Sequence, residues 1–245
     1  MSLYMAMVLL TAKECPSASM LEDNYKKQYP SIKIACEKSI LSFSLDNINI
    51  VCALMEAPIP KEELEGPIQT TKFWKNAIEE VQSHTAHLIV TASGETEPKN
   101  LAFQLTKAIE GILQCTDAIG VYWGAATNII QKDIFLDFST NCSIEYLPLY
   151  LWIDFRCFRK EKKYYALFTT GMKSLGFKEI EVFKSQYDCS VLTEKSFNLA
   201  HYLLDNGDII RSGQTIGFTK DEKIKIIIES SFVNKGEFVY ALKLL

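Results

Sequence analysis

Two histidines three positions apart, His84 and His87, are the nearest thing in this sequence to a metal-binding pair. On a single helix that spacing would set both imidazoles on one side, an arrangement suited to zinc or nickel. A strand pattern begins at His87, however, so the pair straddles a helix end. An imidazole there also interacts well with the helix dipole. No third ligand can be named, because His201 is distant in the chain, and no metal or cofactor is assigned.

The carboxylates Glu179 and Glu181 form a second candidate pair. At positions i and i+2 of a strand they share a face about 7 Å apart. Paired carboxylates can divide acid and base roles. Alternation with Ile180 and Val182 also describes an amphipathic strand with a solvated outer face, and that is the expected role. Thr169-Thr170-Gly171 and Gly213-Gln214-Thr215-Ile216-Gly217 are small, polar and glycine-flanked, so their backbone N–H groups could hold an anion. Neither has the Lys and Ser/Thr spacing of a phosphate-binding loop, and simple turns account for both. The ligand-binding candidates are therefore Thr170, Gly171, Glu179, Glu181, His84 and His87; no catalytic residue is assigned. The seven cysteines contain no C-x-x-C pair and no thiol beside an evident base. Cys52 and Cys157 fall in strand patterns and read as small core residues.

The elements that must position these groups centre on Leu147–Val182, read as strand, charged turn, strand, glycine turn, strand. Leu149–Phe158 is rich in aromatic and branched residues. Arg159–Lys163 reads as the hairpin tip, and the whole basic run from Arg156 as a solvated turn. Before it, Met5–Leu10 reads as a buried strand. A helix with Leu21 and Tyr25 on one face follows, ended by Pro30. Ile40–Leu45 and Ile48–Met55 form a hairpin, and Ala57-Pro58-Ile59-Pro60 marks a strand end. The apolar stripe Phe73, Trp74, Ala77, Ile78 and Val81 predicts a helix over Lys72–Ser83, and His87–Ala92 a strand. This β-α-β-β-α-β order is the ferredoxin-like pattern. Beyond Glu95 come a helix over Asn100–Cys115, a strand at Ala118–Trp123 and a helix at Asp133–Thr140. The last part holds a helix over Thr193–Leu204, capped by Thr193, and strands at Ile209-Ile210, Thr215–Phe218, Lys223–Ser230 and Glu237–Leu244.

A chain of 245 residues can bury a large core as one big domain or two small ones. Its 48% hydrophobic and 23% charged residues are ordinary for a soluble globular protein. A net charge of -4, with no basic stripe interleaved with aromatics, argues against nucleic-acid binding. No apolar run approaches the roughly 18 residues of a membrane helix. The first residues lack a basic n-region and a small-residue cleavage site, so a cytoplasmic protein with reduced thiols is expected.

The sequence resembles a bacterial family, the domain of unknown function 4261. The resemblance rests on Leu147-Pro148, Trp152, Thr170-Gly171-Met172, Leu175-Gly176 and Glu179-Ile180-Glu181-Val182, with Gly213–Gly217 near the C-terminus. Ala57-Pro58-Ile59-Pro60 and the Trp74, His84 and His87 segment are also similar. It implies a cytoplasmic bacterial protein with no established chemistry, in a family some of whose members occur near toxin or secretion genes.

The expected fold is α+β: two ferredoxin-like halves, residues 1–95 and 96–245, with antiparallel sheets covered by helices. The expected function is a non-enzymatic binding or protein-interaction module, with a protein partner or a homodimer and no nucleic-acid or membrane partner. Toxin immunity or secretion is the setting that the resemblance suggests. The alternative is a small-molecule enzyme with its site in a cleft between the halves.

Overall fold

A computed structural model describes residues 2–217 and 223–244. Phe218, which the sequence assigns to a strand, lies outside the described residues. The chain divides into two compact units, Met1–Leu151 and Trp152–Leu245.

The first unit runs β1 (Ser2–Leu10), α1 (Ala18–Tyr25), β2 (Ala35–Glu37), β3 (Ile40–Leu45), β4 (Ile48–Met55), α2 (Lys61–Thr70), α3 (Ala77–Glu80), β5 (Ala86–Gly94), α4 (Pro98–Gln114), β6 (Ala118–Trp123), β7 (Asn128–Gln131) and α5 (Lys132–Thr140). Its seven strands form one antiparallel sheet in the order β2-β3-β4-β5-β1-β6-β7. The period-two pattern of β3 sends Leu41, Phe43 and Leu45 inward and leaves Ile40, Ser42 and Ser44 outside. β1 is central and covered on both faces, so its run Val8-Leu9-Leu10 is buried without alternation. One face packs on α4, whose stripe Leu101, Leu105, Ala108, Ile109 and Ile112 is fully buried. On the other, Leu9 and Tyr122 join Ile59, Leu64, Trp74 and Val81 in a compact cluster. There the Trp74 ring lies so close to β6 that a Cβ on Gly120 would come within 2.2 Å of it.

This architecture changes two expectations. Residues 96–151, grouped from the sequence with the second half, add β6 and β7 to the first sheet. The order β4-β5-β1-β6 is compatible with a ferredoxin-like core, but its helices are α1 and α4, not the segment over Lys72–Ser83. That segment is helical only from Ala77. Thr71 is extended and its hydroxyl donates to Ile129 O at 2.7 Å, while Trp74 Nε1 donates to Glu80 at 2.6 Å. Tertiary partners thus outcompete helix propensity there.

A short helix, α6 (Leu149–Trp152), precedes the strands of the second unit. These are β8 (Asp154–Glu161), β9 (Tyr164–Thr170) and β10 (Ile180–Ser185), followed by α7 (Cys189–Asn206), β11 (Thr215–Ile216), β12 (Ile224–Ser230) and β13 (Phe238–Leu244). The sheet order is β11-β12-β13-β10-β9-β8, antiparallel except for the parallel β10–β13 pair. The strand expected over Leu149–Phe158 begins only at Asp154, and the basic run belongs largely to β8; only Lys162-Lys163 form the tip. α7 covers one face of β8, β9 and β10. It starts four residues before the expected Thr193, because Asp188 caps it by accepting from the N–H groups of Ser190 and Val191. Ile209-Ile210 forms no strand.

Candidate functional site

In the second unit the turn after β9 is built around Glu179. Thr169 Oγ1 donates to its carboxylate at 2.6 Å. The backbone N–H groups of Gly171, Met172 and Lys173 donate to it at 3.0, 3.3 and 3.1 Å. Gly171 makes this possible: its φ is +124°, and a Cβ would stand 2.3 Å from Trp152 O. The turn does hold an anion, as its composition suggests, but the anion is the chain's own side chain. Burial raises the Glu179 carboxyl above its usual range, and the four donors pull it back. Thr170 flanks this turn at the end of β9.

Glu181 is also buried. Ser231 Oγ donates to it, and the Phe232 N–H donates at 2.9 Å. The solvated outer face expected for the pair is therefore not what forms: Glu179 and Glu181 are 8% and 3% exposed. β10 lies between β9 and β13, and the Ser231–Phe232 segment covers its second face. A cleft of about 370 Å³ opens beside Glu179, but its charges are paired, Lys173 with Glu237 and Lys178 with Asp208. Its described lining contains no histidine.

His84 and His87 lie in the first unit, where both brace the Ala57–Pro60 segment. The Ile59 N–H donates to His84 Nε2 at 2.9 Å, so Nε2 is bare and Nδ1 carries the hydrogen toward Val81 O. His87 Nδ1 donates to Ala57 O at 2.8 Å. Burial holds the His87 imidazole below its ordinary value, and His84 adds to the effect. His84 is one wall of a cavity of about 570 Å³ lined by Ile59, Leu64, Ile78 and Val81. Among the described residues no group of three or more His, Cys, Asp or Glu is placed to hold a metal ion.

The cysteines depart from expectation. Cys157 on β8 and Cys189 in the first turn of α7 form a disulfide, with Cα atoms 5.6 Å apart. Cys157 is thus neither reduced nor a plain core residue; α7 packs across β8 and delivers Cys189 to it. Burial pushes the thiols of Cys15, Cys52, Cys115 and Cys142 up, away from nucleophilic character.

The feature that residue-by-residue reading missed is the face of the second sheet opposite α7. Register places Arg156, Phe168 and Glu181 in one row, with Phe158 in the next. Phe158, Phe168, Phe232 and Phe183 then form a continuous series of ring contacts, with centroids 6.3, 6.4 and 5.5 Å apart. Phe158 is 40% and Phe183 50% exposed, so the outer side is aromatic where an antiparallel sheet usually turns polar. Cations lie over the rings: Lys160 Nζ is 3.1 Å from the Phe183 centroid, and the Arg156 guanidinium is 5.6 Å from that of Phe168. Asp154 orients Arg156 through Nε and Nη2 at 2.9 and 2.6 Å. The available signal was the alternation Arg156, Phe158, Lys160, which the basic-turn reading absorbed.

Residues 168–243 match the family model described as a domain of unknown function, DUF4261. This region belongs to the DUF4261 family. The matched DUF4261 region contains Thr170-Gly171-Met172, Leu175-Gly176, Glu179–Val182 and Gly213–Gly217, and so includes the Glu179 turn; the similar segments before Phe168 lie outside it. Neither a curated protein nor a solved structure matches the chain.

Proposed function

We propose that the chain is a non-enzymatic binding module that engages a protein partner through the open face of its second sheet. The observation that carries this reading is the row Phe158, Phe168, Phe232, Phe183, in which two large rings stay substantially exposed. Contiguous exposed apolar surface of this kind marks interaction sites. The fully satisfied Glu179 and His84, both occupied in bracing backbone turns, support the same reading. A cytoplasmic setting and an immunity or secretion-associated role belong to the proposal too. Recovery of the Cys157–Cys189 bridge from freshly alkylated source cells tests the cytoplasmic setting, since such bridges rarely persist there.

The test of function compares the full chain with a Phe158→Ser, Phe183→Ser variant in affinity capture from source cells, with light scattering alongside. A specific partner, or a homodimer, that the variant loses supports the proposal. A monomer whose captured proteins are identical with and without the two rings sinks it.

A further inference from the structure

We infer that the phenylalanine face receives an acidic, extended protein segment whose carboxylates alternate with apolar residues and which lies along β8. The inference rests on the binding reading above and names the partner's chemistry.

Charge supplies the first argument. Residues 154–184 hold eight Lys and Arg against four carboxylates, in a chain whose net charge is -4; Lys173 and Lys178 are paired from outside this stretch by Glu237 and Asp208. All four carboxylates are committed: Asp154 to Arg156, Glu161 to Lys184, Glu179 to its turn and Glu181 to Ser231 and Phe232. Lys160, Lys162 and Lys163 are left with no carboxylate partner among the described residues. The face is therefore locally cationic on an otherwise acidic protein, and a complementary partner is an anion.

Ring geometry decides which anion. Single-stranded nucleic acid binds such sheets by stacking bases on open ring faces. Here Lys160 caps Phe183 and Arg156 caps Phe168, so the faces a base would use are covered by cations. A carboxylate can meet Lys160 from outside while an apolar neighbour rests against the exposed parts of Phe158 and Phe183.

Spacing favours an extended segment. Same-side residues of an extended chain recur about every 7 Å. Arg156 and Phe158 stand one such step apart along β8. Among the described residues β8 ends its sheet, and one side of it has no neighbouring strand. Arg156, Phe158 and Lys160 offer cation, ring, cation along it, and an acidic, apolar, acidic strand is the matching cross-strand set. Arg159, Lys160, Lys162 and Lys163 also repel a second β8, which disfavours edge pairing between two copies of this chain.

The test uses the full chain and fluorescence anisotropy. The probes are a short labelled peptide alternating glutamate with valine, its glutamine–valine counterpart and a single-stranded oligothymidylate. The glutamate peptide should bind at least about tenfold more tightly than the glutamine peptide, and should weaken as salt is raised. Lys160→Glu should weaken binding about tenfold while Lys160→Arg retains it. Circular dichroism melting of both variants separates lost contact from lost fold. Equal affinity for the two peptides, preference for oligothymidylate, no binding of the glutamate peptide, or indifference to Lys160→Glu in a folded protein each overturns the inference. If the Phe158, Phe183 variant still loses its captured partner in any of those cases, the binding reading survives without it. If capture is unchanged by that variant, both fall.

Discussion

In the first unit the connection leaving β4 is held by neutral imidazoles; in the second, the turn leaving β9 is held by a carboxylate. His84 and His87 bond the backbone of Ile59 and Ala57, while Glu179 accepts from three consecutive backbone N–H groups. Both devices satisfy polar backbone groups where the chain leaves a sheet. They differ in charge, and so in what perturbs them. The imidazole brace relies on the bare acceptor nitrogen of His84 and the Nδ1 hydrogen of His87. The carboxylate brace bears the desolvation of a buried charge and depends on all its donors arriving together, which in turn depends on Gly171.

That dependence predicts the largest effect. Gly171→Ala should cost about 4 kcal/mol or more, or abolish folding of the second unit, because the new Cβ meets a carbonyl and φ is positive. Chemical denaturation followed by aromatic fluorescence reads this; a loss below about 1 kcal/mol would show that the turn relaxes freely. Next in size is the bridge that joins β8 to α7 across 32 residues of sequence. Cys157→Ser should cost about 3–4 kcal/mol on the chain-entropy account. Unfolding midpoints with and without reductant check it, and the Ser variant should no longer respond to reductant.

Acidification sharpens the comparison. The folded His87 imidazole lies below its ordinary 6.5, so the unfolded chain takes up the proton more readily. Its contribution to stability is present above that value and lost as pH falls through the lowered one. Glu179 runs the other way. Its folded carboxyl lies above the usual 4.5, so its contribution is present below that value and lost as pH rises through the raised one. Between about pH 7 and pH 5, hydrogen exchange should quicken in the β4–α2 connection and slow in the β9–β10 turn, once corrected for intrinsic rates. His87→Gln should remove the first response and Glu179→Gln the second. The smallest effect belongs to Lys184 and Glu161, an exposed pair; Lys184→Ala should cost under about 1 kcal/mol in thermal melts.

Much of the architecture was legible from periodicity. The i, i+3, i+4 stripe of α4 and the alternation of β3 describe their own buried faces, because each element must hide one side. The glycine turn between β9 and β10 was legible too, and both Gly171 and Gly176 take a positive φ in it. The segment Lys72–Ser83 misled because Trp74 has a better partner than a helical neighbour: it packs on Gly120 and donates to Glu80. The site was legible only as ingredients. Thr170 and Gly171 were singled out in a turn whose N–H groups could hold an anion, and Glu179 separately as half of a carboxylate pair with Glu181; the structure closes Glu179 onto that turn.

Residue type and spacing alone determined the α+β character, the hairpin of β3 and β4, the long helix α4 and the polar glycine turn after β9, since these depend on contacts near in sequence and on the repeat of each element. Tertiary structure alone decided that Glu179 and Glu181 are buried, that Cys157 finds Cys189, and that four phenylalanines from three strands and a loop line one open face. Alternation along a strand separates its two sides, but which side is covered depends on what the rest of the chain lays across it.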